Sequence, residues 1–317
     1  MTISSKSFTT KLGAIGSTLI LSAISLAAGT VEMIEPTETK SSRSMMDPPD
    51  IAGFGMGKPS TSYDFTVSDT LDFEDGSDGL DLTTLRARIP LFGKKIGDMR
   101  FSISSRYDFT SLDSDFLGSR DLHEVNLSFQ LASIPEEVEP GLIGFIRVQP
   151  GIALESGADI GDAYETTAIG VIGYKFSESF ATAVGFYANY AYDDFVIYPA
   201  VGVIWRPSPN TYMQITPPLV NIAWKVAPKW TVFVNAYPAG NKWRLDEDGE
   251  GPAEIDLSLF RTSAGIEYTV TDNLRISLRG GINFLGELEV RDRQHRVLED
   301  DDLDIAPFGA ATVTWVF

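Results

Sequence analysis

The chain closes with the stretch Pro307-Phe308-Gly309-Ala310-Ala311-Thr312-Val313-Thr314-Trp315-Val316-Phe317. One parity of this stretch is apolar or aromatic, at Ala311, Val313, Trp315 and Phe317. The other parity carries small polar side chains at Thr312 and Thr314. Such an alternation has the period of two of a β-strand with two unlike faces. Chain termini are usually polar and solvated, so the pattern predicts a final strand held against an apolar environment.

This final strand resembles the closing strand of bacterial outer-membrane β-barrels, in which alternating aromatic residues run to a terminal phenylalanine. The resemblance implies that the barrel-assembly machinery recognises this strand. Trp315 and Phe317 are therefore the predicted assembly signal.

The composition excludes several classes of protein. The 317 residues include no cysteine, two histidines and a formal net charge of −19. Without cysteine there are no disulfides, no thiolate chemistry and no lipid anchor on a cysteine. Nucleic-acid binding calls for a basic surface, which this charge opposes. The mature chain has no apolar stretch of about 20 residues, so a helical membrane protein is excluded, and abundant aromatic residues and glycine favour β structure.

Three segments follow from the order of the chain. Residues 1–28 are a predicted secretory signal peptide, because Lys6 and Lys11 precede a short apolar run that ends in small residues. Residues 29–59 have no sustained period and are predicted to be a flexible periplasmic leader. Residues 60–317 are the predicted outer-membrane β-barrel. Removing the two lysines takes the formal charge from −19 to −21, since residues 1–28 contain no acid.

Apolar and polar residues alternate from residue 60 to the end of the chain. The alternation predicts an all-β, transmembrane, antiparallel up-and-down barrel of 12–14 strands. The lower number holds if residues 211–226, which contain Pro217-Pro218, leave the barrel as a loop, because proline interrupts a strand ladder. A soluble β-sandwich also buries one face of each strand, so alternation alone does not exclude it.

The connections between the predicted strands are of two alternating kinds. Short turns lie at 93–98, 177–179, 208–210, 227–229 and 271–273, with 135–141 slightly longer. Mostly longer acidic loops lie at 74–79, 111–121, 155–164, 193–194, 246–256 and 287–304. Short periplasmic turns and long outer loops are typical of outer-membrane barrels. Aromatic residues flank the short turns and predict a girdle at that membrane boundary: Phe92, Phe176, Phe180, Trp205, Trp224, Trp230, Tyr268 and Phe317.

Arginine recurs on the predicted inner face of the strands. The lumen-lining candidates are Arg86, Arg88, Arg100, Arg106, Arg147, Arg206, Arg261, Arg275 and Arg279. Arginine is costly against lipid but acceptable in a wet interior. Two interpretations remain open. The arginines line an anion-selective passage, or they pair with fewer acids of the same face, such as Asp108, Glu124, Glu155 and Glu267, and support the wall.

No catalytic site is predicted, and neither a cofactor nor a metal site. His123 lies on the apolar face of its predicted strand, and His295 lies in a charged loop. Neither is therefore predicted to lie beside a serine or aspartate in the rigid barrel wall, as a catalytic histidine would. The acidic loops allow divalent ions to bridge them to lipopolysaccharide, but a solvated acidic surface is the simpler interpretation. The predicted partners are outer-membrane lipid, lipopolysaccharide and the barrel-assembly machinery, with no nucleic acid.

A second resemblance concerns the middle of the chain. The stretch Tyr198-Pro199-Ala200-Val201-Gly202-Val203-Ile204-Trp205-Arg206-Pro207, followed by Pro217-Pro218, resembles a family of Gram-negative outer-membrane barrels classed as a domain of unknown function. The resemblance implies location and fold but transfers no functional residue. The predicted function is a passive channel or small-solute transporter with an arginine-rich lumen. The alternative is a non-conducting structural or surface-binding barrel that uses its acidic loops.

Overall fold

A computed structural model describes residues 59–74, 79–133, 140–192, 194–246 and 252–317. The predicted signal peptide and the leader up to residue 58 lie outside this part of the chain and stay predictions. Sixteen strands form one sheet: β1 Ser60–Ser68, β2 Leu71–Asp72, β3 Gly79–Ile96, β4 Met99–Ser114, β5 Gly118–Ser133, β6 Gly141–Glu155, β7 Tyr164–Ser177, β8 Phe180–Ala191, β9 Asp194–Ser208, β10 Thr211–Thr216, β11 Leu219–Ala227, β12 Trp230–Arg244, β13 Glu254–Thr269, β14 Leu274–Arg291, β15 Val297–Leu303 and β16 Ala306–Val316. A 3-10 turn lies at Ile160–Asp162.

Fourteen of these strands close into an antiparallel barrel. β1 pairs with β16 on one side and with β3 on the other, while β2 and β15 lie off the main ring. The prediction of an all-β barrel is therefore confirmed. Residues 211–226 form β10 and β11 around Pro217-Pro218, so the larger predicted strand number is correct. In the described part of the chain no helix has the length and apolarity that a membrane crossing needs.

The outer face of the barrel is apolar and exposed. Around the ring it presents large side chains such as Phe65, Leu91, Val125, Leu127, Ile146, Ile172, Val184, Val201, Ile266, Leu278 and Val313. Several predicted girdle residues are exposed beside the short turns, among them Phe92, Phe176, Phe180, Trp205 and Trp230. A ring of strands with an apolar exterior satisfies most of its backbone internally and suits a bilayer. The protein is accordingly an outer-membrane barrel.

A smaller ring of strands rises beyond the barrel at the end opposite the short turns, which we call the loop end. There β6 pairs directly with β12 at Leu154 and Arg244, so β7–β11 are left out of the ring. β15 pairs with the loop-end part of β14, from Gly286 to Arg291. β2 pairs with β3, and Phe73 bridges to Leu303. Nine strand segments, from β2–β6 and β12–β15, thus form what we call the cap.

The cap is filled by apolar side chains. Its buried cluster comprises Leu71, Phe73, Leu80, Leu82, Leu112, Leu117, Leu122, Ala153, Trp243, Leu245, Ile255, Leu257, Leu259, Leu288, Val290, Leu303 and Ala306. These residues are nearly inaccessible to solvent. Because apolar burial stabilises by roughly 25 cal/mol per Å², a cluster of this size is a hydrophobic core in its own right. The cap therefore blocks the axis of the barrel at the loop end.

Two of the predicted acidic loops are wrong in their extent. Most of segments 111–121 and 287–304 is strand, because Leu112, Leu288 and Leu303 face the core of the cap while the acids between them face water. A β-bulge between β13 and β14 makes this possible. Leu285, with φ of 51°, shifts the register there. Below the bulge the odd-numbered residues of β14, such as Asn283, face inward. Above it the even-numbered residues Leu288 and Val290 face inward instead.

Candidate functional site: the barrel lumen

A network of arginines and acids lies just below the cap, on the inner face of β3–β5. Arg86 contacts Asp108 at 2.7 Å, and Arg106 lies 3.5 Å from the same carboxylate. Arg106 also pairs with Glu124, which accepts a hydrogen bond from the amide of Asn126. The side chains of Asp108 and Glu124 are each 6% exposed. Neighbouring strands hold these groups at cross-strand positions, because Arg86 and Asp108 are register partners, as are Asp108 and Glu124.

A second group of ion pairs spans β1, β13, β14 and β16. Arg279 contacts Asp64 at 2.8 Å and donates to the hydroxyl of Thr312 at 3.0 Å. Thr312 in turn donates to Asp64 at 2.6 Å. Arg275 lies 3.7 Å from Glu267. The polar residues of the final strand thus belong to an interior network, which joins the first and last strands of the barrel.

Three further arginines have neutral partners. Arg147 donates to the side-chain oxygen of Gln130 at 2.8 Å. Arg206 lies over the ring of Tyr212, with 5.2 Å between the guanidinium carbon and the ring centroid. Arg261, which is buried, donates to Asn283 at 2.7 Å and lies 5.2 Å from the centroid of Phe308. Among the described residues, no carboxylate is within ion-pair distance of Arg206 or Arg261.

The remaining two candidates lie on the inner parity but outside these pairs. Arg88 is the register partner of Arg106 and is half-buried. Arg100 faces Ala132 across β4 and β5, close to the short-turn end. The arginines therefore divide by the kind of partner that they contact. Arg86, Arg106, Arg275 and Arg279 contact acids, whereas Arg147, Arg206 and Arg261 contact neutral groups.

The wall formed by β7–β11 differs from this charged wall. Its inward positions carry Ile169, Val171, Gly173, Ala181, Ala183, Tyr187, Tyr198, Ala200, Gly202 and Ile204. The rings of Tyr187 and Tyr198 stack with centroids 6.5 Å apart. The middle of this wall is consequently apolar or aromatic, while its charged inward residues, Glu165, Arg206 and Lys225, lie nearer the strand ends.

The charged lumen also contains residues that the sequence interpretation did not select. Asp64, Asn126, Gln130 and Asn283 each bind one of the predicted arginines or its partner. Their inward parity was readable from the alternation of their strands. Their pairing was not, because the partners lie on strands whose register depends on the closed ring.

A serine and a histidine meet on the outer face at the loop end of β5 and β6. The imidazole of His123 contacts the hydroxyl of Ser156 at 2.8 Å through Nε2 and that of Tyr107 at 2.8 Å through Nδ1. A nucleophilic serine needs such a histidine contact. The histidine in turn needs a group that stabilises its charged form, usually a carboxylate. The neutral tyrosine at this position supplies no such charge.

We therefore expect Ser156 to be unreactive as a nucleophile. Purified barrel treated with a fluorophosphonate should show no covalent adduct by mass spectrometry, because Nδ1 of His123 contacts the hydroxyl of Tyr107 where a catalytic histidine needs a carboxylate. The matched control is Ser156→Ala, which must give the same spectrum. An adduct that disappears in the Ser156→Ala protein would contradict the expectation and reveal an enzyme.

A ladder of acids lies on the outer surface of the cap. Across β13, β14 and β15, Asp256 faces Glu289, which faces Asp300, and Glu287 faces Asp302. Partial desolvation, and then the charges of Asp300, Asp256 and Asp302, raise the pKa of Glu287. Like charges at facing positions oppose pairing. Among the described residues, no group of three or more acids and histidines has an arrangement that could hold a metal ion.

Comparisons with known proteins agree with this architecture. Residues 161–315 match the model of a family described as a domain of unknown function (DUF6268). That range includes the stretch that carried the resemblance in the sequence, and the resemblance is confirmed. No curated protein matches the chain in sequence.

Solved structures give distant likenesses. The COG4313 outer membrane channel from Pseudomonas putida F1 is 11% identical with a TM-score of 0.43, over 88% of this chain and 100% of that one. A Pseudomonas aeruginosa FadL homologue is 9% identical with a TM-score of 0.42, over 81% and 89%. The KdgM porin is 9% identical with a TM-score of 0.36, over 81% and 99%. No conclusion about substrate follows from likenesses this distant. The chain is an outer-membrane β-barrel of fourteen strands whose second half matches this family of unknown function.

Proposed function

We propose that the protein passes small solutes across the outer membrane through the lumen of its barrel. The observation that supports this is the lumen below the cap, which is lined by charged side chains and by half-exposed small ones. A barrel built only for support has no need of interior cations without an acid partner, such as Arg206 and Arg261. The cap restricts the axial route, so the proposed passage is narrow and not that of a wide pore.

The arginine-rich lumen makes this passage favour anions. Inside a narrow wall of low dielectric the two uncompensated cations act on a passing ion with little screening. The acids on the outer surface of the cap are solvated and screened within about 8 Å at physiological salt. Interior charge should therefore outweigh the formal charge of the whole chain.

Recording across a planar bilayer with a salt gradient tests both the passage of ions through the lumen and its preference for anions. Refolded wild-type protein should give small conductance steps with a reversal potential on the anion side. In the double variant Arg206→Gln with Arg261→Gln, the reversal potential should shift toward cations, because the fixed charge inside falls by two. The matched control is Lys94→Gln with Lys229→Gln, which removes two exposed charges of the outer surface near the short turns. A cation-selective wild type, or an unchanged double variant, would contradict the proposed selectivity.

A second candidate function is a non-conducting barrel that binds partners at its surface. The acid ladder of the cap favours it, because repulsion between facing acids is retained in the fold at a cost. The raised pKa of Glu287 makes its contribution to stability greatest at low pH and lost as pH rises through the folded-state value. Complete silence in bilayers and no release of solute from vesicles would favour this candidate over the channel.

A further inference from the structure

The wall of the barrel contains a gap between β9 and β12. β10 is short and pairs with β9 only from Val203 to Ser208, so residues 194–201 of β9 have no ladder partner on that side among the described residues. β11 pairs with β12 only up to Ala236. Beyond Ala236 no ladder pairing of β12 on this side is present among the described residues until Arg244 meets β6, and the hydroxyl of Tyr192 donates to the carbonyl of Lys242 near the upper end of this stretch. The turn at Pro217-Pro218 forms the lower edge of this gap.

The residues along this free edge of β9 are exposed on both faces. Five consecutive residues, 195–199, are exposed, although alternate residues of a barrel strand should face the interior. Phe195 points outward and is 65% exposed, whereas Val196 and Tyr198 have the inward parity and are still 38% and 58% exposed. Both faces of this part of β9 are therefore accessible. The free edge of eight residues is about 26 Å long at ~3.3 Å per residue.

The gap lies within the apolar belt of the barrel. Phe195, Ile197, Val201 and Trp205 continue the exposed outward face along the whole of β9. On β12 the outward face is free of charge from Trp230 to Gly240, and Lys242 marks the start of the charged surface. Unpaired backbone groups are not tolerated against hydrocarbon unless they border a cavity. The free edges thus indicate an opening from the lumen into the leaflet at the loop end.

The groups behind the gap favour an amphiphile. Val196, Tyr198 and Ala200 offer an apolar surface on one side of it. On the other side Tyr237 is the cross-strand partner of Arg261, whose buried charge has an amide and a ring as neighbours but no carboxylate. A buried cation without an acid is costly, and an anionic ligand group would relieve that cost. The gap therefore joins an apolar path to a site for negative charge.

We propose that the gap between β9 and β12 is a lateral portal for single-chain amphiphiles with an anionic head. The apolar chain moves between lumen and leaflet along β9, and the head group binds Arg261. Because the cap closes the axis, this side route connects the lumen with the loop-end leaflet. The inference rests on the proposed function, since it names the solute class and the route of the same lumen.

Binding in phosphatidylcholine nanodiscs tests the portal. Tritiated dodecanoate should bind the wild-type barrel saturably, above the level of empty nanodiscs. Ala200→Trp, which fills the inner side of the gap, should weaken this binding about tenfold. The matched control is Val201→Trp, in which the same bulk one residue along faces lipid, and its binding should equal that of the wild type. Equal binding by all three proteins would overturn the inference.

The head-group site has its own test. Arg261→Gln should weaken dodecanoate binding about tenfold, because a charge-assisted contact becomes a neutral one. Binding of tritiated dodecanol, which has the same chain and no charge, should not change. Equal loss for both ligands would show a structural effect and contradict the role of Arg261, and unfolding is checked by heat-modifiable mobility on gels.

Other occupants of the gap give different results. The chain has no cysteine, so the variant Phe195→Cys reports on contacts of the free edge without background. Rapid disulfide formation between two copies in nanodiscs would show that a second barrel covers the edge, and would overturn the portal. Intact solute flux with no dodecanoate binding would refute the portal alone. Intact binding with no solute flux would refute the proposed function alone.

Discussion

Asp108→Ala should destabilise the barrel more than any surface substitution. The carboxylate of Asp108 lies between Arg86 and Arg106, at 2.7 Å and 3.5 Å, and is 6% exposed. Its removal takes the acid partner from Arg86 and leaves Arg106 with Glu124 alone, while Arg88 faces Arg106 in register. Removing one partner of a buried ion pair costs about 3–5 kcal/mol, because the remaining charge stays desolvated. The free energy of unfolding, measured by urea titration of the barrel in lipid vesicles, should fall by that amount.

Asp256→Ala is the matched control for this loss. Asp256 pairs with Lys242 at 2.8 Å, but the two side chains are 27% and 24% exposed on the surface of the cap. Exposed pairs contribute about 0–1 kcal/mol, and this one also faces Glu289. The free energy of unfolding should change by less than about 1 kcal/mol. Equal losses in the two variants would show that the interior network is hydrated and not a buried support.

The barrel itself could be predicted from the sequence because its signals are local. The alternation of single strands, the aromatic residues at the short turns and the polar parity of Thr312 and Thr314 each need only neighbouring residues. The number of strands depended on whether the segment around Pro217-Pro218 was a loop or two strands, and in the structure it forms two short paired strands. These signals identify the strands and their inner faces, but they do not show which strands lie opposite each other across the lumen.

The cap and the gap could not be predicted in the same way. Acids among Leu288, Val290 and Leu303 made segment 287–304 look like a solvated loop, although its apolar residues alternate. The bulge at Leu285 also reverses the parity there, which hides the continuity with the strand below. The pairing of β6 with β12 joins residues 90 positions apart, Leu154 and Arg244. Such a contact follows from closure in three dimensions and leaves no mark in the local pattern.

Opening the cap should turn a narrow passage into a wide pore. Leu288 is fully buried in the core of the cap, so Leu288→Asp places an unpaired carboxylate among apolar side chains. Loss of a buried leucine alone costs about 2–5 kcal/mol, and an unpaired buried charge adds to this. The fourteen-strand ring lies below the substituted position and keeps its own ladder. We therefore expect the cap to unfold locally while the barrel stays closed.

Single-channel recording and hydrogen exchange together measure this effect. Conductance of Leu288→Asp should rise several-fold over the wild type, and amides of β15 should lose protection while those of β8 keep it. Leu298→Asp is the matched control, because Leu298 lies on the same hairpin but is 41% exposed. It should leave both readings unchanged. If the cap exchanges freely in Leu288→Asp without a rise in conductance, the cap is not what closes the axis, and the obstruction must lie in the charged network around Asp108.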